Sequence, residues 1–460
     1  MGSLRWLLIA TIAVTPVAGA DDAKQTAIRV TVRADLASRV DQAVDRELSG
    51  LLTLYKDLHT HPELSLQEKE SAAKIARLFE QYGYATTVNV GGHGVVGVLT
   101  NGSGPTLLIR GDMDALPVTE ETGLGYRSQV QVPGPNGRLV GVMHACGHDI
   151  HQTCLVGTAR VLAKLSDSWS GTLVMIAQPA EELGLGARMM IEDGLFERFP
   201  RPDYCLSLHV SGDLPTGRIG YTSGWAMANV DSVDITIYGR GGHGSRPNQT
   251  VDPVVTAAHV IVALQTIVSR RIDPIEPGVV TVGSVHAGSK HNIISDEAKL
   301  QLTVRSYTDR TRKILLDGIR EITLHICEAM GCPRPPDIVV RDDEFTPAAY
   351  NDPALTAAMV EVMRSVVGSN EVVQRPARMG GEDFGRYARF LNVPGFMFFL
   401  GSIEKQRYAQ SLQPGALPLP PLHSSTYTPD PIPTIKIGIR CLVSNALSLL
   451  NDKGDTAAKN

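Results

Sequence analysis

The chain has 460 residues, 43% hydrophobic and 5% aromatic, with 43 Lys plus Arg against 48 Asp plus Glu for a formal charge of −5. That length supports more than one domain with a sizeable core, and 44 Gly with 28 Pro is too few for a collagen-like or low-complexity chain. The lack of a basic excess argues against a nucleic-acid partner, and six Cys are too few for a disulfide scaffold.

The first twenty residues read as a secretory signal, removed after Ala20. Arg5 supplies positive charge, an apolar run follows from Trp6 to Val14, and Ala18-Gly19-Ala20 is a small-x-small cleavage site. A membrane anchor would need about 20 unbroken apolar residues, and this run ends at Thr15-Pro16. The expectation is a periplasmic or secreted protein with no membrane span after cleavage, because no later stretch reads as long and apolar enough.

From there the chain alternates strand-like and helix-like segments, the α/β pattern. Helical spacing predicts helices over 41–58 and 68–82. Short apolar, partly β-branched runs at 95–99, 106–110, 172–177 and 204–209 suit strands buried on both faces. Helices are expected at 153–165 and 187–193. The character then changes: 230–238 alternates like a half-buried strand, a helix at 252–271 opens on Asp252-Pro253, strands are expected at 279–285 and 298–306, and 310–330 is a long amphipathic helix. This β-α-β-β-α unit reads as a small antiparallel sheet with helices on one face. A helix at 353–367, a strand at 395–400, a Pro-rich loop at 414–421 and a helix at 432–450 complete the reading. The fold class expected is α/β: a mixed, mostly parallel sheet with helices on both faces, over 21–224 and 341–460, plus an inserted α+β domain over 225–340.

One set of residues carries chemistry: Met143 to His151 (MHACGHDIH), Gln178 to Glu182 (QPAEE), His209 and His423. Singly, each is weak, since a lone His or Cys is usually a packed core residue and a Glu pair a solvated face. Placement lifts them. Asp112, Glu181, Glu182 and His209 fall at or just past the C-terminal ends of expected strands, where open α/β sheets build sites. Thiolate, imidazole and carboxylate together suit zinc or a similar borderline ion. Cys146 and His148 can face one ion only from a turn, for which Gly147 supplies freedom. Of the adjacent Glu181 and Glu182, one can bind metal while the other reaches a water as general base.

These stretches resemble the M20 family of metallopeptidases, in particular the branch of hippurate hydrolases, N-acyl-amino-acid amidohydrolases and auxin-conjugate hydrolases. The resemblance rests on His61 to Ser65 (HPELS), Arg110 to Pro117 (RGDMDALP), His144 to Asp149 (HACGHD), Gln178 to Glu182, Gly239 to Pro247 (GRGGHGSRP), Asn292 to Asp296 (NIISD), Gly380 to Phe384 (GGEDF) and the His423 segment, in family order across nearly the whole mature chain. It implies two divalent ions (Zn, Mn, Co or Ni) held by Cys146, His148, Glu182, His209 and His423, with Glu181 as general base and Asp114 orienting a ligand or the loop. Asp112 stands where the wider family has a His ligand, as in the Cys-using branch. His243 matches a histidine that reaches across a dimer to the oxyanion, so a homodimer through the inserted domain is implied. Asn292 and Arg305 match positions that hold the substrate carbonyl or carboxylate, and Gly380 allows close backbone approach to substrate. Read locally, His243 is a turn residue among glycines and Arg305 a surface strand residue. His59, His61, His259 and His325 read as structural, and His144 and His151 as reserve ligands.

The activity this implies is hydrolysis of the amide of an N-acyl amino acid with a free carboxylate, or of a short peptide by a carboxypeptidase or dipeptidase of the same chemistry. Two other classes stay open: a thiol hydrolase using Cys146, which leaves the paired carboxylates and dispersed histidines without a role, and a non-catalytic binding protein. Cys327 and Cys332, five apart at a helix end, read either as a pair in an oxidising compartment or as two buried thiols.

Overall fold

Apolar runs without alternation, such as Thr106–Asp112 and Gly171–Gln178, fold here as strands covered on both faces. The structure is a computed structural model describing residues 28, 30, 33–134 and 137–450. The expected signal, 1–20, lies outside the described residues.

The chain begins with α1 (Ala34–Thr60), α2 (Lys69–Gln81), β1 (Ala85–Val90), β2 (Gly94–Asn101), β3 (Thr106–Asp112), β4 (Gln131–Pro133), β5 (Leu139–Gly141) and α3 (His148–Lys164). It continues with β6 (Gly171–Gln178), α4 (Gly186–Glu192), α5 (Leu195–Arg198), β7 (Tyr204–Pro215), β8 (Ile219–Tyr221) and β9 (Gly224–Met227). Then come β10 (Asn229–Tyr238), β11 (Gly242–His243), α6 (Pro253–Arg270), β12 (Gly278–Ala287), β13 (Ile293–Ile294), β14 (Glu297–Ser306), α7 (Asp309–Ala329) and β15 (Asp337–Val340). The last are β16 (Ala349–Asn351), α8 (Pro353–Val367), β17 (Val372–Gln374), α9 (Gly385–Leu391), β18 (Gly395–Ile403), α10 (Lys405–Ser411) and α11 (Pro431–Leu449). Two compact units result. The first takes the described residues up to Gly224, Tyr350–Pro376 and those from Phe384 on; the second takes Trp225–Ala349 and Ala377–Asp383. The second unit therefore runs past the expected 340 and adds a short later stretch. Thr346 and Val230 exchange two backbone hydrogen bonds, and Ala228 donates to Arg378 and Gly380, which ties both stretches to β10 and its approach.

In the first unit eight strands order as β1-β2-β6-β3-β7-β18-β8-β17. The central four are parallel, with antiparallel pairs at β1-β2, β2-β6 and β18-β8. Period-two alternation sorts β18 between faces. Phe396, Phe398 and Leu400 enter the core that α11 and α3 cover, while Gly395 backs onto Ala388 of α9. Each of those buried side chains contributes about 1.5–3 kcal/mol over an exposed one. At the end of α1, buried His59 bonds Asp149 (2.7 Å) and Glu120 (3.1 Å), pinning α1 to the start of α3. Burial opposes the imidazolium, but the two carboxylates outweigh it and raise His59 to about 10. The helix expected at 153–165 starts at His148, because Gly147 at φ +81° turns the chain directly into it. The short strands β1, β8, β15 and β17 escape a pattern reading since their few residues carry no clear period.

In the second unit the sheet orders β12-β14-β10-β15, all antiparallel. Val233, Ile235 and Ile237 of β10 face a core shared with Val260, Leu264 and Ile267 of α6 and Leu315 and Ile319 of α7. One correction concerns membranes: α6 and α11 are both long and apolar enough to cross one by length and composition. In the structure α11 is two-thirds buried against α1, α3 and α8, and α6 packs on the sheet and α7. Asp231, fully buried, takes a forked pair from Arg312, whose guanidinium also lies 4.0 Å from the centre of the Phe345 ring. Arg312→Met should leave that carboxylate buried and unpaired and cost about 3 kcal/mol, read as a lower urea midpoint. Arg312→Met with Asp231→Asn should recover part of the loss.

Candidate metal centre

The turn at Gly147 is the local device that starts the site. Its left-handed backbone lets Cys146 and His148, one residue apart, point into the same space. A Cβ at 147 would stand 2.6 Å from Val210 Cγ2, so the position has no room for a side chain. A second device lies past β6. Ala180 takes φ +48°, and its carbonyl accepts from Leu185 (3.2 Å) and Gly186 (3.1 Å), so the chain doubles back and presents Glu181 and Glu182. The third is His423, itself at φ +68°, whose N–H donates to the Ala145 carbonyl at 2.9 Å and seats it beside Cys146. Non-glycine residues at positive φ cost about 1–3 kcal/mol and cluster at functional sites.

The side chains converge. Cys146 Sγ lies 3.6 Å from His209 Nε2 and 3.3 Å from His423 Nε2. Glu182 Oε1 lies 3.4 Å from His423 Nε2 and 3.9 Å from His148 Nε2, and Glu181 Oε2 lies 3.8 Å from His148 Nε2. These distances are too long for strong hydrogen bonds but right for atoms that share cations. The ring orientations agree. His148 donates Nδ1–H to the Asp114 carbonyl at 2.8 Å and His209 donates Nδ1–H to the Val210 carbonyl at 2.7 Å, so each presents Nε2 to the centre. His148 Nε2 and Glu182 Oε1 are buried without a hydrogen-bond partner. That is the signature of donors awaiting an ion, and the thiol, imidazole and carboxylate set fits one of borderline softness.

Asp114 sits behind the pair of glutamates. One carboxylate oxygen accepts the N–H of Glu181 (3.1 Å) and the other accepts the N–H of Glu182 (3.0 Å) and the Ser65 hydroxyl (2.6 Å). Glu68, fully buried, accepts the N–H of Ala180 at 2.8 Å and of Leu66 at 2.9 Å, which braces the same turn. Neither Ser65 nor Glu68 is signalled as a site residue by its local sequence, since each acts on a backbone amide over a hundred residues away or through Asp114. His151 is not a ligand in this arrangement. Its Nε2 accepts from the Val210 N–H at 2.9 Å, so Nδ1 carries the proton donated to Asp112 at 2.6 Å. Burial lowers it to about 3, and the ring stays neutral. Asp112 is spent on His151 and Arg110 (2.6 Å). His144 is buried and held to about 4, mainly by that burial, with no ring partner.

The electrostatics are those of a site short of positive charge. Burial, then Glu182, pushes the Cys146 thiol well above the ordinary thiol range. Burial raises Glu182 to about 7, with Asp114 adding to it. His148 would be lowered by burial, but Asp112 and Cys146 raise it well above its usual value. Cations reverse each of these preferences, because they favour thiolate, carboxylate and neutral imidazole together.

The remaining expected residues belong to the second unit. His243 is exposed, pairs with Ile293 through β11-β13, and takes a hydrogen bond between its Nδ1 and Ser245 Oγ at 2.8 Å. The next residue, Gly244, donates to the Asn292 carbonyl at 2.9 Å, so His243 and Asn292 are neighbours across this pair. Arg305, on β14, is half-buried and bonds Thr303 Oγ1 (3.0 Å) and the Met379 carbonyl (3.4 Å). Gly380 accepts the Ala228 N–H at 3.0 Å, and a Cβ there would stand 3.1 Å from Met227 Cε.

Comparison with known proteins agrees with this chemistry. The sequence profile of Peptidase family M20/M25/M40 matches residues 108–413. A hippurate hydrolase of Campylobacter jejuni is 38% identical over 334 residues, 71% of this chain and 82% of that protein. A thermostable carboxypeptidase of Saccharolobus solfataricus is 34% identical over 377 residues, 81% of this chain and 91% of that one. The crystal structure of a dinuclear metal-binding peptidase of the M20 family from Bacillus subtilis superposes with a TM-score of 0.71 at 29% identity, over 88% of this chain and 99% of that chain. Gly147→Ala should lower divalent-cation affinity by about 10–100-fold, measured by equilibrium dialysis, because the added Cβ parts Cys146 from His148.

Proposed function

The chain belongs to peptidase family M20/M25/M40 and is a metal-dependent hydrolase of amide bonds, and we propose that its substrates are N-acyl amino acids with a free carboxylate on the amino acid. The observation that carries this reading is the cluster of Cys146, His148, Glu182, His209 and His423 with Glu181 beside it. Those five would hold two divalent cations. When bound, the pair supplies Lewis acidity to the scissile carbonyl and to the water nucleophile.

The chain's own residues supply the proton traffic. The Glu181 carboxylate takes the proton of the attacking water and then delivers it to the departing amide nitrogen. It is fixed for this by the Asp114 carboxylate on its backbone N–H, and its 9% exposure keeps bulk water from competing. In this reading Arg305 pairs with the substrate carboxylate, a role its planar fork suits. His243 and Asn292 donate to the developing oxyanion, and the backbone at Gly380 approaches the substrate. A carboxypeptidase or dipeptidase would use the same groups with a peptide in place of the acyl chain, and the similarity to a carboxypeptidase favours it as the second reading. A Cys146 nucleophile fits poorly, since burial raises its thiol where a nucleophile needs it lowered.

Zinc is the first choice of ion for this donor set, with manganese, cobalt and nickel as alternatives. The signal-like first twenty residues support a periplasmic or secreted enzyme. A homodimer through the second unit is supported by its open sheet edges at β12 and β15 and by Val262, 71% exposed on α6.

The test is a panel of N-acyl amino acids, their carboxamide analogues and dipeptides, assayed with metal-reconstituted protein. The expectation is turnover of the N-acyl amino acids, loss of activity with the carboxamides, and none after exhaustive EDTA treatment until a divalent cation is restored. Glu181→Gln should bind metal normally and lose about 10²–10⁴ in kcat. Full turnover after metal removal, or in that variant, would overturn the reading. For His243, mixing His243→Ala chains with Glu181→Gln chains should restore part of the activity if it acts across a dimer. Verified mixed dimers without rescue would remove that role.

A further inference from the structure

Outside the metal-ligand cluster, two cysteines share one local structure. Past the end of α7 at Ala329 the chain reverses in a Schellman turn. Gly331, at φ +72°, donates its N–H to the Glu328 carbonyl at 3.0 Å, and Cys332 donates to the Cys327 carbonyl at 3.0 Å. This motif brings a side chain of the last helical turn against the one two residues beyond the cap. Here both are cysteines. Cys327 is 1% exposed, and Cys332 packs on the same apolar cluster from its rim. Of the six cysteines only Cys332 is not buried.

The backbone bond sets the reach. With 3.0 Å from N to O, and the angle of about 120° at the nitrogen that a straight N–H···O bond imposes, covalent geometry caps the Cα separation at about 6.3 Å. Disulfides span roughly 4.4–6.8 Å, so the turn already holds the two residues at bonding range. Two thiols would also serve as a plain apolar contact, but that role asks for no second cysteine and leaves Cys332 partly open to solvent.

We propose that Cys327 and Cys332 are a redox-active pair that closes to an intrachain disulfide at the end of α7 when the chain meets a disulfide oxidant. The thiolate of Cys332, the accessible member, attacks one sulfur of the external disulfide and releases its other half as a thiol. The sulfur of Cys327 then attacks Cys332 Sγ, forming the intrachain bond and releasing the second half as a thiol. The two cysteines lose two electrons and two protons, and the external disulfide gains both. Burial and the adjacent thiol push Cys327 up to about 12, which is why Cys332 leads and Cys327 resolves. Once closed, the bond replaces an apolar contact with a covalent cap on the last turn of α7, whose inner face packs against the sheet of the second unit.

The experiment equilibrates the full chain in glutathione buffers of graded oxidised-to-reduced ratio, quenches with acid, alkylates after denaturation and maps tryptic peptides. Both cysteines fall in the peptide Glu321–Arg341, because Arg334 precedes Pro335. As the ratio rises, this peptide should pass from doubly alkylated to unalkylated and lighter by two hydrogens, while fully buried Cys154, Cys205 and Cys441 stay reduced. The oxidised chain should melt about 2–4 °C above the reduced one, a gap that vanishes in Cys332→Ser and in Cys327→Ala. Full alkylation of the peptide at every ratio would overturn the proposal. So would accumulation of a glutathione adduct on Cys332 with Cys327 still free.

Discussion

A single carboxylate sets the geometry of the metal-ligand cluster. Asp114 accepts the backbone N–H groups of Glu181 and Glu182, and its own carbonyl takes the Nδ1 proton of His148. Two adjacent glutamates leaving a strand would otherwise swing independently. Tied through their amides to one rigid acceptor, they hold fixed and different directions. The same residue aims the imidazole that faces both of them. Hydrogen bonds to a charged acceptor of this kind contribute about 1.5–3 kcal/mol each, enough to hold a strained turn at Ala180 in place.

The cluster also explains how so many acids are buried together. Asp112 is neutralised by Arg110 and hydrogen-bonded by the neutral His151 ring, which makes it part of the frame. Asp149 and Glu120 share His59, whose charge persists well above neutral pH. Cys146, Glu181 and Glu182 crowd instead around His148, with His423 also beside Glu182. The frame is balanced by side chains, while the centre is left for cations. That division separates the histidines by direction: His148 and His209 turn Nε2 toward the centre, while His151 spends both nitrogens on the frame.

The parallel strands supply the platform. β3 pairs with β7 as far as Arg110 with Ser207, and the same register carries His209 level with Asp112, the last residue of β3, where the loops after β3 and β6 begin. Three loops then deliver Cys146, Glu182 and His423, each through a positive-φ residue at the side chain's own position or within two residues of it. The second unit is a different kind of object, a four-stranded antiparallel sheet with one helical face. Its His243 and Asn292 lie next to each other although forty-odd residues separate them, because β11 and β13 pair.

Periodicity and composition alone determined the α/β class and most helices and long strands, because buried strands and amphipathic helices leave a local mark; residue chemistry marked the stretches that carry the cluster, and the resemblance to a known family singled out its six residues from them. The inserted unit was legible from the change to alternating strands, though not its true end, since the stretch from 341 to 349 is tied in by bonds to a distant strand. Tertiary structure decided which histidines turn Nε2 to the centre and which build the frame, what Asp114 and Asp112 bond, and that Glu68 and Ser65 brace the site. It also packed the two helices that are apolar enough for a membrane, α11 largely buried in the first unit and α6 with one face on the sheet and α7 of the second. The physical reason is common to all of these: a side chain's role depends on which partner occupies its last free atom, and that partner is brought by the fold from far along the chain.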